Sequence, residues 1–331
     1  EKDRTLTILE SAGESIILTD TNARILYANR AAELQSGYSQ AELLGQTLRL
    51  WESGLTPEST HVEMWQTITQ GKQWSGELVN QRKDGALYDV SMTIAPIFNA
   101  RREIVNYVSV QADITRLKEV DRLKTKFVTN VSHELRTPLT NIKTYVTLLE
   151  MGRNENWGRY LRVLHHETDR LTQLIQDLLD LSRLETESPG LGLTAVNLEH
   201  IIRDYSDIFA AKAEIRQITL HKDVPPDLPL VQVEERHLGQ LLTNLLGNAI
   251  SYTPPGGQVW LKAGADVDES NAFVWLQIID TGVGIPEADI PFLFERFFRS
   301  EQVLNRGIPG TGLGLAICHE IVKRYNGRIE V

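Results

Sequence analysis

Ser132-His133-Glu134-Leu135-Arg136-Thr137-Pro138 lies inside a run where Leu135, Leu139, Ile142, Val146 and Leu149 recur at alternating steps of four and three. That is the period of a helix with one apolar seam. His133 falls off the seam, so its imidazole is expected to face solvent. Thr137, four residues on, shares its face one turn away. Pro138 has no N–H for the carbonyl of Glu134, so a bend is expected just beyond the histidine. By itself an exposed helical histidine among charged neighbours is ordinary. A zinc-protease reading fails, because His-Glu-x-x-His needs histidine where Thr137 stands.

Downstream, Leu161, Leu164, Thr168, Leu171, Ile175, Leu178 and Ser182 form a second seam of the same period. The short stretch 152–156 between the two helices makes them antiparallel neighbours. A lone hairpin leaves both seams open to water, and pairing two copies would close them, so a homodimer with an antiparallel four-helix bundle is expected. Upstream, Leu117, Val120, Leu123 and Phe127 carry the helical pattern back to about Asp113. A shift or twist of that helix is the expected route for a signal into the bundle.

Residues 1–112 read differently. Ser15–Thr19, Ile25–Tyr27, Ser75–Val79, Leu87–Ser91 and Ile104–Ser109 are strand candidates, with helices between the second and third and a hairpin turn at Lys83-Asp84-Gly85. From residue 188 onward strands and helices mix as in an α/β sandwich. Helices are expected over His237–Ile250 and Gly314–Tyr325, the latter closed by Asn326-Gly327, with strands over Val259–Lys262 and Phe273–Ile279. The fold class is therefore multidomain α+β, with domains at 1–112, 113–187 and 188–331.

The bulk properties fit several folded modules: 331 residues, 41% hydrophobic and 24% charged. A formal charge of -10 without a long basic block argues against nucleic acid as a direct partner. One cysteine, Cys318, allows neither an internal disulfide nor a cysteine-cluster zinc site and favours a reducing compartment, so a cytoplasmic location is expected. No apolar run is long enough to cross a bilayer, and no signal peptide is present. The start at Glu1 without methionine and the stop at Val331 read as those of a fragment, which confines any membrane anchor to sequence outside it.

Three further motifs carry chemistry. Asn244 and Asn248 lie four apart on one helix face, where two amide oxygens can meet one magnesium ion if phosphates complete its shell. Asp280-Thr281-Gly282-Val283-Gly284-Ile285-Pro286 follows a strand. Its carboxylate can accept from an adenine amine, and its glycines let main chain approach a flat ring. An aspartic protease also has Asp-Thr-Gly, but needs a second such aspartate, and this chain has no second copy of the motif. Gly310-Thr311-Gly312-Leu313-Gly314 opens a helix, where successive amides and the helix N-terminus suit phosphate.

Taken together, these motifs resemble the boxes of sensor histidine kinases. Ser132–Pro138 is similar to the H box, Asn244–Pro254 to the N box of the ATPase superfamily shared with gyrase and Hsp90, and Phe294–Arg299 to the F box. Tyr27-Ala28-Asn29, Gly37-Tyr38, Glu42–Gly45, Trp74–Glu77, Arg82–Gly85 and Asp113–Thr115 resemble a PAS sensor domain. The likeness implies an ATP-dependent protein-histidine kinase. His133 would take the phosphoryl group, Glu134 would orient the ring or accept its proton, and Thr137 would place water in the reverse reaction. ATP and Mg2+ would bind through Asn244, Asn248, Tyr252, Asp280, Gly282, Gly284, Ile285, Arg299, Gly310, Thr311, Gly312, Leu313 and Gly314, under a lid over 300–309. A response-regulator aspartate would be the acceptor.

Two departures from the family pattern stand out. Ser251 replaces the usual Lys or Arg, so Ser251→Lys is expected to tighten ATP and ADP binding but not adenosine binding. The strands that normally follow 327–331 are absent from this chain. An inert signalling scaffold and a phosphatase-dominant protein are the competing readings. For the PAS-like segment no ligand is named. A flavin–cysteine adduct is excluded because residues 1–117 hold no cysteine, and His61 reads as a surface helical residue more readily than as a haem ligand. Trp74 with Arg82–Gly85 also resembles certain flavin-binding PAS sensors.

Overall fold

A computed structural model of the chain describes residues 2–151, 156–186, 193–268, 271–306, 308 and 310–331. The expected inter-helix turn at 152–155 lies outside them. The chain divides into two compact units, Glu1–Lys126 and Phe127–Val331.

The first unit holds α1 (Lys2–Ser11), β1 (Ser15–Thr19), β2 (Ile25–Ala28), α2 (Arg30–Ser36), α3 (Gln40–Leu43), α4 (Glu58–Thr69), β3 (Trp74–Gln81), β4 (Leu87–Phe98) and β5 (Ile104–Asp113). Its antiparallel sheet has the order β2-β1-β5-β4-β3. Alternation decides which face is covered: along β1, Ser15, Ile17 and Thr19 are buried and the residues between them less so. The expected strands are all present, and β3, β4 and β5 run longer than the apolar runs suggested. The turn after β3 closes where Gly85 adopts φ +90, and Ala86 N–H donates to Asp84 Oδ1 at 2.9 Å. Asn29 is fully buried and caps α2: its Oδ1 accepts from Ala32 N–H at 3.1 Å and Ile16 N–H at 2.9 Å.

Helix α5 (Thr115–Glu150) starts with a built cap. Asp113 Oδ1 accepts from Thr115 N–H at 2.9 Å and from its hydroxyl at 2.6 Å, and Asp113 Oδ2 pairs with Arg82 at 2.6 Å. Burial alone would raise the Asp113 pKa, but the bonds from Thr115 and Arg82 hold it below the ordinary aspartate value. Lys118 pairs with Glu77 at 2.7 Å and Asp89 at 3.3 Å, so the first turn of α5 is tied to β3 and β4.

In the second unit, α5 and α6 (Trp157–Thr186) precede β6 (Thr194–Val196), α7 (Leu198–Ile215), β7 (Thr219–Asp223), β8 (Val231–Val233), α8 (Glu235–Tyr252), β9 (Gln258–Asp268), β10 (Asn271–Asp280), α9 (Glu301–Asn305) and α10 (Gly314–Arg324). The larger sheet runs β10-β9-β7, with β9 and β10 antiparallel and β7 parallel to β9. Its buried residues Val259, Leu261 and Ala263 pack with Ile202 and Phe209 of α7 and with Leu242 and Leu246 of α8. The end of α10 is closed as expected: Asn326 takes φ 54 and Gly327 N–H donates to Val322 O at 2.9 Å. Pro138 lies buried inside α5, which runs on past it to Glu150.

Candidate functional site

His133 is exposed on α5, as its place off the seam requires. The Thr137 hydroxyl donates to the His133 carbonyl at 3.2 Å, which pins the two to one turn. Glu134 is engaged with the second helix, where Arg170 Nη2 donates to its Oε2 at 2.9 Å. Two turns further along α5, Asn141 Nδ2 donates to Glu167 Oε1 at 2.9 Å, and Glu167 is buried. These two polar links set the register of the hairpin around the histidine. Neither partner on α6 was marked by the sequence motif.

The seams remain partly open on this chain: Leu139 is 60% exposed and Ile175 47%, while Leu135 and Leu178 pack against the α10 contact. A different stripe of α6 is covered. Leu174, Asp177 and Leu181, at steps of three and four, are buried against Leu313, Ile317 and Ile321 of the glycine-rich turn and α10. Sequence reading put one apolar face on α6, yet the doublets Leu174-Ile175 and Leu178-Leu179 hold enough apolar residues for two. Polar bonds frame this contact. Thr311 donates its hydroxyl to Asp177 Oδ2 at 2.7 Å, Gln240 Nε2 donates to Asp180 at 2.7 Å, and Arg296 pairs with Glu185. Burial pushes the Asp177 pKa up, against the pull of the bonds from Thr311 and Gln173, with Asp180 adding to the rise.

The nucleotide motifs converge at one end of the sheet. Asp280 closes β10 with an exposed carboxylate, and Gly282 N–H donates to its Oδ1 at 2.8 Å, leaving the other oxygen available. Gly282 has no room for a side chain: a Cβ there would lie 2.5 Å from Asp280 Oδ1 and 2.7 Å from Tyr252 O. Val283 N–H donates to Tyr252 O at 3.3 Å, which joins this loop to the last turn of α8. Gly284 takes φ +70 with open space at its Cβ, and Ile285 is exposed beside it.

Of the two asparagines, Asn244 faces α10: its Nδ2 donates to Gly314 O at 3.1 Å, and it also bonds the Cys318 thiol. Burial of that thiol pushes its pKa up to about 12 despite the Asn244 bond, so it stays protonated. Asn248 is half-buried and keeps its amide without a hydrogen-bond partner among the described residues. No group of three or more His, Cys, Asp or Glu capable of holding a metal occurs among the described residues.

Arg299, expected at the nucleotide, donates to the carbonyls of Gly310, at 3.1 Å, and Ile308, so it braces the loop leading into α10. Gly312 takes φ +73, and a Cβ there would lie 2.8 Å from the Phe297 backbone. Its carbonyl accepts from Phe297 N–H at 2.9 Å. Leu313 is fully buried. Thr311 links this loop to α6 by a hydrogen bond, beside the Leu313 packing contact. An acidic strand end, a glycine-lined floor, a free asparagine amide and a helix-opening turn fit an adenine nucleotide with a divalent cation.

Three family profiles match the chain. A PAS domain covers residues 13–116, a His Kinase A (phospho-acceptor) domain covers 123–187, and a histidine kinase-, DNA gyrase B-, and HSP90-like ATPase covers 233–331. Drug sensory protein A of Synechocystis sp. is 31% identical over 100% of this chain and 54% of its own length. Sensor histidine kinase WalK of Bacillus subtilis is 28% identical over 99% of this chain and 53% of its own. Sensor protein kinase WalK of Staphylococcus haemolyticus is 28% identical over 99% and 53%. The chain thus spans about half the length of these relatives.

Proposed function

Because the chain belongs to the sensor histidine kinases, we propose that it transfers the γ-phosphoryl group of Mg-ATP to His133 and then to an aspartate of a response regulator, under control of its PAS segment. The observation that carries this reading is an exposed His133 in the same compact unit as Asp280, Asn248 and the Gly310–Gly314 turn. A ring nitrogen of neutral His133 attacks the γ-phosphorus, the bond to the bridging oxygen breaks, and ADP leaves. The remaining ring proton is held by water or a neighbouring carboxylate. Catalysis of such transfers is mostly positioning and charge neutralisation.

Within this reading Asp280 fixes the base, Asn248 offers an oxygen to the cation, and the glycine turn before α10 receives phosphate. Glu134 reaches the His133 ring only by leaving Arg170 or sharing it, so Arg170 sets its availability. The docking of Thr311 on Asp177 ties the phosphate turn to α6. The open seam suits a second copy of the chain. Thr137, one turn from His133, supports dephosphorylation of the regulator as a second activity of the same surface. No helix among the described residues is long and apolar enough to cross a membrane.

Incubation with γ-labelled ATP tests the reading. Wild-type protein should gain acid-labile label, and His133→Gln should gain none while still binding ATP. Equal labelling of the two would overturn the assignment.

A further inference from the structure

Position 251 lies three residues beyond Asn248 and shares its helix face, yet carries a neutral hydroxyl. Around it the structure places charge from elsewhere in the sequence. A cavity of about 570 Å³ is lined by Ser251, Tyr252 and Val283 of the nucleotide motifs and by Arg216, Arg306 and Ile308. Arg216 is the residue that ends α7. Its Nη1 donates to the carbonyls of Ile250 at 3.0 Å and Ser251 at 3.3 Å. These main-chain bonds fix a guanidinium at the C-terminal end of α8, where unpaired carbonyls favour a cation. The anchoring does not depend on the side chain at 251. Arg306 follows α9 and is exposed at the same cavity. Arg299 donates to the main chain of its own loop at two positions, which leaves Arg216 and Arg306 as the cavity's cationic lining.

We propose that Arg216 and Arg306 together recognise the polyphosphate of the bound nucleotide, doing by charge from outside the helix what a basic side chain at 251 would do from within it. The proposal rests on the ATP-binding reading. It explains how a chain with Ser251 keeps phosphate affinity. It also changes the expectation for Ser251→Lys, because a third cation beside two existing ones adds less than it would to a neutral pocket. Arg216 carries donors that one carbonyl pair does not exhaust, so it can cap α8 and face phosphate at once.

Titration calorimetry with ATP, ADP and adenosine decides the matter, using wild type, Arg216→Gln and Arg306→Gln, each also combined with Ser251→Lys. Glutamine keeps a donor for the α8 carbonyls and removes the charge. Each single variant should weaken ATP binding by roughly three- to tenfold, as for a partly exposed charge-assisted bond. Adenosine binding should not change, and Ser251→Lys should recover most of the loss. An unchanged ATP affinity in both variants, or an equal loss for adenosine, would overturn the proposal. If Arg216→Gln does not fold by circular dichroism, the exposed Arg306→Gln alone carries the same comparison. A wild-type protein that binds neither ATP nor adenosine would instead refute the ATP-binding reading itself.

Discussion

At His133 the side chain is exposed on a face of α5 away from the seam, and its neighbours are tied down separately. Thr137 bonds the His133 carbonyl and Glu134 bonds Arg170. Thr137→Ala should therefore leave the helix intact and impair dephosphorylation of a phosphorylated regulator more than autophosphorylation. Parallel assays of both activities check it, and equal losses would refute separate roles. Asn248→Ala should abolish magnesium-dependent nucleotide binding, since Asn244, whose amide nitrogen is held by Gly314 O, offers at most one oxygen to the cation by itself. Fluorescent-nucleotide titrations with and without EDTA read this, and a magnesium effect that survives in the variant would contradict it. The exposure of His133 and the place of Asp280 were legible in the sequence because each depends on neighbours within a turn or a strand end. The partners Arg170 and Arg216 were not, because each is brought in by packing from another helix.

Among the elements, α6 is the one whose reading changed most. Its heptad pattern was plain, but a pattern of spacing does not say which of two apolar faces meets which neighbour. The buried face carries Asp177, 134 residues before the Thr311 it accepts from. No local signal could connect them. Asp177 titrates above the ordinary aspartate range, so the folded unit holds this proton more tightly than the unfolded chain does. The stability it contributes is present below that ordinary range and is lost as pH rises through the raised pKa. Asp177→Asn keeps acceptor capacity for Thr311 and lets Gln173 turn its amide, so it should flatten that pH dependence at little cost. Asp177→Ala leaves the Thr311 hydroxyl and the Gln173 amide unpaired and should cost roughly 1–3 kcal/mol. Thermal unfolding of the two variants across acidic to neutral pH separates these outcomes, and a wild-type pH profile in Asp177→Asn would count against the burial of this charge.

On the scale of the whole chain, the order of segments was readable because each has its own period: alternation to β5, heptads through α6, then mixed elements. The sheet order β2-β1-β5-β4-β3 was not, since period alone does not choose strand neighbours. In the proposed dimer, the half-open seam of α5 and α6 would meet a second copy. Leu139→Asp places a charge in that interface and should shift a dimer toward monomer, at a cost of at least about 1.5–3 kcal/mol per protomer. Sedimentation equilibrium measures the shift, and an unchanged mass would argue against the bundle. The central claim remains that His133 is the phosphoryl acceptor. Mapping the phosphate directly tests it: after reaction with ATP, the protein is digested at neutral to alkaline pH, and fragment spectra are collected on the peptide containing residues 127–136. The account predicts phosphate on the His133 ring, lost on brief acid treatment. Phosphate on Ser132 or another hydroxyl, stable to acid, would contradict it.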